Sequence, residues 1–373
     1  MLIRNLYSKF SLVSFALVIL SAVPGENVTA AELGALFSSY QAAVNGGDRD
    51  VIVEAAAAVY DEAKASLPES SKSRAAATLN YSKALFGARE YMRAESVSGE
   101  AVALYEVAYG EDAIELVDPY LELARTTVGN LRESSGHRAT YKRYTRKALS
   151  VAKRAEGKDS YLYAVVSLEV GRIALDYDHS PQAGIYLKDA QEAFSGPFSK
   201  YLLNNFLANF YLGKFHMARG SRADARSYLE AALGVVEQEA GPDSALEMTA
   251  RAFLVDIYES LGEPELSAIQ CRAIGKMVPF DMDQEPKPLF RRLPEYPRAA
   301  LQSGREGYAI VNFTISDSGI PTDIKAVETS GSKSFGKAAE DFIKGLRYAP
   351  RFEAGEPVDT PGREMKISFS MAK

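Results

Sequence analysis

Ala183-Gly184-Ile185-Tyr186-Leu187-Lys188-Asp189-Ala190 returns forty-two residues further along the chain as Ala225-Arg226-Ser227-Tyr228-Leu229-Glu230-Ala231-Ala232. The same step separates Gly87, Gly129, Gly171 and Gly213, and links Tyr144 to Tyr186 and Tyr228 and Ala148 to Ala190 and Ala232. A fixed period sustained in this way marks an array of like supersecondary units. Each unit reads as two helices. In Leu202 to Val236, the residues Leu203, Phe206, Phe210 and Gly213 fall at helical spacing, and Arg219-Gly220-Ser221-Arg222 interrupts them. Ala225, Tyr228, Leu229, Ala232, Leu233 and Val236 then form a returning apolar stripe. One such hairpin cannot bury both of its faces, whereas stacked hairpins share a continuous core, so the pattern predicts an all-α solenoid. From Ala31 to about Pro279 the chain is rich in Ala, Leu, Glu and Tyr, poor in Pro, and shows no sustained alternation of period two.

Glycine within the first helix, a glycine turn, and Ala-x-x-Tyr-Leu-x-x-Ala in the second helix resemble the tetratricopeptide repeat. Gly110-Glu111-Asp112, Gly157-Lys158-Asp159 and Gly241-Pro242-Asp243 resemble the linkers of its longer variant. The resemblance covers about four repeats between Ser73 and Lys276 and fades toward the N-terminal end, where Ala31 to Pro68 is expected to form a capping hairpin. It implies a concave surface holding an unidentified protein or peptide. The repeated Tyr and Ala positions, by contrast, read first as core spacers. The run His137 to Arg154 carries Arg138, Lys142, Arg143, Arg146 and Lys147, followed by Lys153 and Arg154. This basic patch is either a site for an acidic partner or a solvated helix face.

Outward from the repeats, the N-terminal end reads as an address. Arg4 and Lys9 precede the apolar run Phe10 to Val23, Pro24-Gly25 breaks it, and Val28-Thr29-Ala30 supplies small residues before Ala31. This is the pattern of a secretory signal peptide over residues 1–30, which places the mature chain outside the cytoplasm. The alternative is an uncleaved N-terminal anchor, although the run falls short of the roughly 20 apolar residues that span a bilayer.

At the other end the composition turns polar and proline-rich over Asp281-Met282-Asp283-Gln284-Glu285-Pro286-Lys287-Pro288, so residues 281–292 are expected as a linker and 293–373 as a separate small α+β domain. Pro294-Glu295-Tyr296-Pro297 opens a short helix, Arg298 to Gln302. From Glu306 to Ser316, Ala309, Val311, Phe313 and Ile315 alternate with Tyr308, Ile310, Asn312 and Thr314, a strand pattern. Asp317-Ser318-Gly319 turns into a second strand, Thr322 to Thr329. Phe335, Ala339, Phe342 and Leu346 make Ser334 to Leu346 an amphipathic helix, and Met365, Ile367, Phe369 and Met371 alternate with polar residues in a last strand.

This order resembles the TonB C-terminal domain family. The residues that carry it are Glu295-Tyr296-Pro297-x-x-Ala300, Glu306 to Phe313, Asp317-Ser318-Gly319, Phe335 with Ala338-Ala339, Leu346-Arg347-Tyr348-Ala349-Pro350 and Gly355-Glu356-Pro357-Val358; the family's usual Trp is replaced by Leu346. The resemblance implies an energy-transducer module that adds the TonB box of an outer-membrane TonB-dependent transporter to its sheet edge by β-augmentation. Carried over by residue, the edge is Arg363, Met365, Ile367, Phe369 and Met371, with Tyr296 and Pro297 beside it as contacts or as a helix stop. It also implies coupling to ExbB/ExbD. The family's anchor histidine and long Pro/Lys-rich spacer have no counterpart, because the first histidine is His137 and a helical array occupies the middle of the chain. An adaptor is therefore favoured over a complete transducer, with a general periplasmic scaffold as a further alternative.

Composition supports binding over chemistry. The chain has 373 residues with 43 basic and 49 acidic side chains, net charge −6, which gives no overall pull toward nucleic acid. One cysteine and three histidines leave no material for a Cys/His metal site or an internal disulfide. Gly-x-Ser-x-Gly, the phosphate-binding Gly-x-x-x-x-Gly-Lys-Ser/Thr and His-Glu-x-x-His are all missing from the sequence, so neither enzyme nor cofactor is expected. Mass spectrometry of the envelope fraction checks the address: the signal-peptide reading predicts a mature terminus at Ala31, and an intact Met1 in the membrane fraction contradicts it.

Overall fold

The structure, a computed structural model, describes residues 27–130, 135–177, 181–236, 244–277 and 288–371. Most of the expected signal segment, most of the 281–292 linker and the turn Gly241-Pro242-Asp243 lie outside the described residues. Helices come first, in antiparallel succession: α1 (Asn27–Gly46), α2 (Arg49–Ser66), α3 (Lys72–Gly87), α4 (Tyr91–Tyr109), α5 (Val117–Gly129) and α6 (Ser135–Glu156). They are followed by α7 (Tyr161–Tyr177), α8 (Pro181–Ser195), α9 (Leu202–Ala218), α10 (Arg222–Val236), α11 (Ser244–Leu261) and α12 (Pro264–Met277). Among the described residues α3 packs on α4, α5 on α6, α7 on α8 and α11 on α12, the sequential pairing that the repeat pattern predicts. The chain packs as two compact units that divide between Phe215 and His216, within α9.

Local chemistry sets the helix ends. Asp48 accepts from the backbone N–H groups of Asp50 (3.0 Å) and Val51 (3.4 Å) at the start of α2, and the Ser160 hydroxyl accepts from Tyr163 N–H (3.1 Å) at the start of α7. Gly110 and Gly157 follow α4 and α6 with φ of 88° and 90°, a backbone that a side chain would resist, which is what the linker resemblance requires.

In the first unit, α3 packs on α5 and α5 on α7, so the first helices of successive pairs form one layer. Its cores are shared between pairs. Leu33, Tyr40, Val59, Ala63, Tyr81 and Leu85 bury together across α1 to α3, and Val102, Leu116, Tyr120, Ala148, Ala152, Val166 and Val170 across α4 to α7. The repeat-marker alanines Ala148, Ala190 and Ala232 are fully buried, as core spacers should be. The buried hydroxyls of Ser82, Ser98 and Thr126 are matched between helices: Ser82 donates to Ala94 O (3.1 Å), and Ser98 and Thr126 share a hydroxyl hydrogen bond of 2.8 Å.

The second unit contains the α+β domain. It comprises α13 (Arg298–Gln302), β1 (Gly307–Ile315), β2 (Pro321–Ser330), α14 (Ser334–Lys344), β3 (Arg351–Glu353), β4 (Glu356–Val358) and β5 (Thr360–Phe369). The main sheet is antiparallel in the order β2-β1-β5. Ala309, Val311, Phe313 and Ile315 point inward from β1 and α14 covers them, so Phe335, Ala339, Ile343 and Leu346 close the core, with Phe342 only partly buried. The β3–β4 hairpin was not foreseen: three-residue strands carry no measurable alternation, and its turn is Ala354-Gly355, not a customary Asn-Gly.

The repeat glycines are not equivalent. A Cβ on Gly171 would stand 2.7 Å from Leu187 Cγ, whereas one on Gly87 would meet nothing within 4 Å. Gly171→Ala is thus expected to lower stability by about 1–3 kcal/mol through overpacking, despite the gain of about 1 kcal/mol in helix propensity. Gly87→Ala is expected to be neutral or stabilising by up to about 1 kcal/mol. Urea titration of both variants checks the contrast, and equal stability of Gly171→Ala and the parent would contradict it.

Candidate strand-binding edge

Of the three strands in the main sheet, β1 is central and two edges remain. A bare edge is a template for another strand unless something blunts it. The β2 edge is blunted. Its pairing with β1 slips between Ile310 and Val311 and again between Asn312 and Thr314, Asp323 takes a φ of 51°, and the Ala326 N–H donates to Glu340 Oε1 at 2.9 Å. The β5 edge is regular. From Arg363 to Phe369 seven consecutive residues pair with Phe313 to Gly307, and the irregularity lies earlier, beside Pro361 and Gly362. Among the described residues the sheet ends at β5.

Alternation along β5 follows from period two. Ile367 and Phe369 are buried and Met365 half-buried on the helix-covered face, while Glu364, Lys366 and Ser368 face solvent. Arg363 is half-buried opposite Phe313. Met371 lies just beyond the strand, and its N–H donates to Glu306 Oε1 at 2.7 Å, which ties off the end of the edge. On the outer face the Lys366 ammonium sits 3.9 Å from the Tyr308 ring centroid, and the Tyr308 hydroxyl donates to Glu328 (2.5 Å). That hydrogen bond raises the Tyr308 pKa.

Tyr296 lies against the inner side of β5 through its ring. It meets Phe335 and Phe369 edge-on at 5.7 and 5.6 Å, and those two rings stack on each other at 4.5 Å. Its hydroxyl donates to Arg305 O at 2.6 Å, and burial, with the Glu306 carboxylate second, raises its pKa. Pro297 caps α13 with φ −60°, the helix-entry role that its chemistry suggests. Sequence reasoning did not single out Leu293, which is 87% exposed five residues before that helix. An isolated apolar residue in an irregular segment carries no periodic signal.

The basic residues of α6 do not behave as one group. Lys147 Nζ donates to Glu106 Oε1 (2.8 Å) and Tyr120 Oη (3.2 Å) and lies over the Tyr120 ring at 4.8 Å, so it joins α6 to α4 and α5. Burial alone would raise the Glu106 pKa, but hydrogen bonds from Lys147 and Tyr120 hold it below the ordinary carboxylate range. Arg138, Arg143 and Arg146 are exposed and Lys142 is half-buried, with Arg143 lying over the neighbouring Tyr144 ring at 5.5 Å. Among the described residues no His/Cys/Asp/Glu cluster could hold a metal, and no helix is long and apolar enough to cross a membrane.

Residues 292–371 match the family model described as Gram-negative bacterial TonB protein C-terminal. These residues make up the small α+β domain, which is thus similar to the TonB C-terminal family, and they follow an array of helices. Over 83 residues the chain is 34% identical to protein TonB of Pseudomonas aeruginosa, a match that takes in 22% of this chain and 24% of that protein. The chain therefore spans about a quarter of the length of the curated relative it matches. Among solved structures, a Podosopora anserina kinesin light chain protein with nearly identical TPR-like repeats is similar to 58% of this chain and 98% of its own, at 14% identity and a TM-score of 0.47. BtubC (BKLC) from P. vanneervenii is similar over 71% of this chain and 98% of its own, with the same identity and TM-score.

Phe369→Asp is expected to unfold the terminal domain, since it places an unpaired carboxylate among Phe335, Tyr296 and Ile367. Loss of amide protection in β1 checks this, and a retained sheet in that variant would refute the inward placement of Phe369.

Proposed function

We propose that this chain is a periplasmic TonB-family adaptor or energy-transducer component, in which the terminal domain captures an extended segment of a partner along β5 while the helical array holds another protein. The partner chemistry that fits is the TonB box of a TonB-dependent outer-membrane transporter, a strand recognised through its backbone. The observation that carries the reading is the asymmetry of the two sheet edges, with β2 broken by bulges and the Glu340 cap and β5 regular from Arg363 to Phe369. Binding is the whole activity in this reading, without catalysis or cofactor. Residues 1–30 act as the address, 31–280 as the repeat array, 281–292 as the connection and 293–373 as the capture module. Arg363, Met365, Ile367, Phe369 and Met371 then contribute mainly through backbone and packing, and Tyr296 and Pro297 support the strand from its inner side. Lys142, Arg143 and Arg146 would contribute the charge that α6 offers an acidic partner, with Lys147 serving the array itself. Coupling to ExbB/ExbD would fall to the N-terminal segment acting as an anchor.

Calorimetric titration of the full chain with a TonB-box peptide tests this. Binding is expected, and a proline in the middle of the peptide is expected to weaken it by about tenfold or more, since it removes a backbone donor and each such bond contributes about 0.5–1.5 kcal/mol net. A peptide that binds equally well with and without the proline would exclude capture through the strand backbone.

A further inference from the structure

The last pair of a helical array has no following repeat to cover its apolar face, and such arrays need a terminal cap. In this chain α11 and α12 present Val255, Cys271 and Ile274 on that face, all buried, with Met248 and Ala252 beside them. The residues that complete the cluster are Leu289, Phe290 and Ala349, which belong to the segment entering the terminal domain and to the stretch after α14. The approach is close. A Cβ on Gly275 of α12 would stand 2.5 Å from Pro350 O and 3.1 Å from the Phe352 ring, and one on Gly319 in the β1–β2 turn would come within 3.2 Å of Cys271 Cβ.

An ion pair crosses this contact. Arg347 Nε donates to Glu259 Oε1 of α11 at 2.6 Å, with the two side chains only 11% and 9% exposed. The same guanidinium donates from Nη1 to Lys344 O (3.1 Å), the last residue of α14, and to Leu346 O (2.7 Å) just beyond it. Its backbone is engaged as well: Leu289 N–H donates to Arg347 O at 2.7 Å, and Arg347 N–H donates to Phe290 O at 3.1 Å. Arg347 thus joins the end of α14, the entering segment and α11.

We infer that the terminal domain is also the C-terminal cap of the helical array, with the Arg347–Glu259 pair fixing the orientation in which it is docked on α11 and α12. The apolar cluster supplies adhesion without direction, whereas a buried ion pair tolerates only the geometry that neutralises both charges. The domain has its own complete core around Phe313, Phe335 and Phe369, so the pair serves the docking and not the fold of the sheet. The inference goes beyond strand capture and stands whatever β5 binds. It has a mechanical consequence: the β5 edge is held at a set attitude to α11, and a pull on a captured strand reaches the last helical pair through Arg347 as well as along the chain.

Cys271 reports on this contact directly. It is the only cysteine in the chain, it is buried, and burial pushes its thiol up to about 12. Maleimide labelling of the full chain is followed by mass spectrometry, with amide exchange in β1 measured on the same samples. In the parent, Cys271 is expected to label at least about a hundredfold more slowly than in denaturant, because labelling requires opening. Glu259→Gln, which keeps the shape and lies outside the terminal domain, is expected to speed labelling by about tenfold or more while β1 amides stay protected. An unchanged rate in that variant would overturn the inference. So would rapid labelling of the parent. A parallel loss of β1 protection would also overturn it, because the pair would then be holding the fold of the domain.

Discussion

A β-sheet must end somewhere, and the backbone donors and acceptors along its last strand then have to be blunted, covered or used. In the terminal domain this constraint is met differently on the two sides. At β2 the register slips twice and Glu340 takes the Ala326 N–H, so a straight strand cannot lie alongside. At β5 the ladder runs without interruption from Arg363 to Phe369. The small core beneath is arranged to hold that strand straight: Phe335 stacks on Phe369, and Tyr296 closes their edges with its hydroxyl tied to Arg305 O. An added strand would gain backbone hydrogen bonds worth about 0.5–1.5 kcal/mol each, less the cost of ordering the partner.

The helical pairs answer a related constraint. A single hairpin exposes the face that its neighbour should cover, and the cores across α1 to α3 and α4 to α7 are accordingly shared between pairs. Close approach at Gly171 and fully buried alanines at 148, 190 and 232 allow the stacking. At the end of the array the terminal domain provides the missing cover through Leu289, Phe290 and Ala349, with Arg347 directed onto Glu259. Helix α11, helix α12 and the terminal domain meet at residues of the Leu346-Arg347-Tyr348-Ala349-Pro350 stretch, which in sequence looked like a domain signature alone.

Much of this architecture is legible in the sequence itself. Regular alternation in β1 identified its inward residues, and the 42-residue step identified the helical pairs and their alanine spacers, because periodicity is a direct image of burial. The edge position of β5 came from resemblance to the TonB C-terminal family and not from pattern, since strand order leaves no mark on local sequence. Charge was the least legible property. Lys147 looked like one member of a basic patch and proves to be a strut between helices, and Glu259 had no distinguishing neighbour in sequence although it pairs with a residue 88 positions away. Ion pairs across distant segments depend on tertiary placement, which composition and spacing do not encode.

Residue-resolved amide exchange of the full chain with and without a saturating TonB-box peptide tests the central claim most directly. Capture at the sheet edge predicts that the peptide slows exchange at alternate amides between Glu364 and Ser370, leaves β2 between Thr322 and Thr329 unchanged, and shows the two-residue alternation of an added strand. Protection confined to β2, to the helical array, or to no backbone amide at all in a demonstrably bound complex would contradict it.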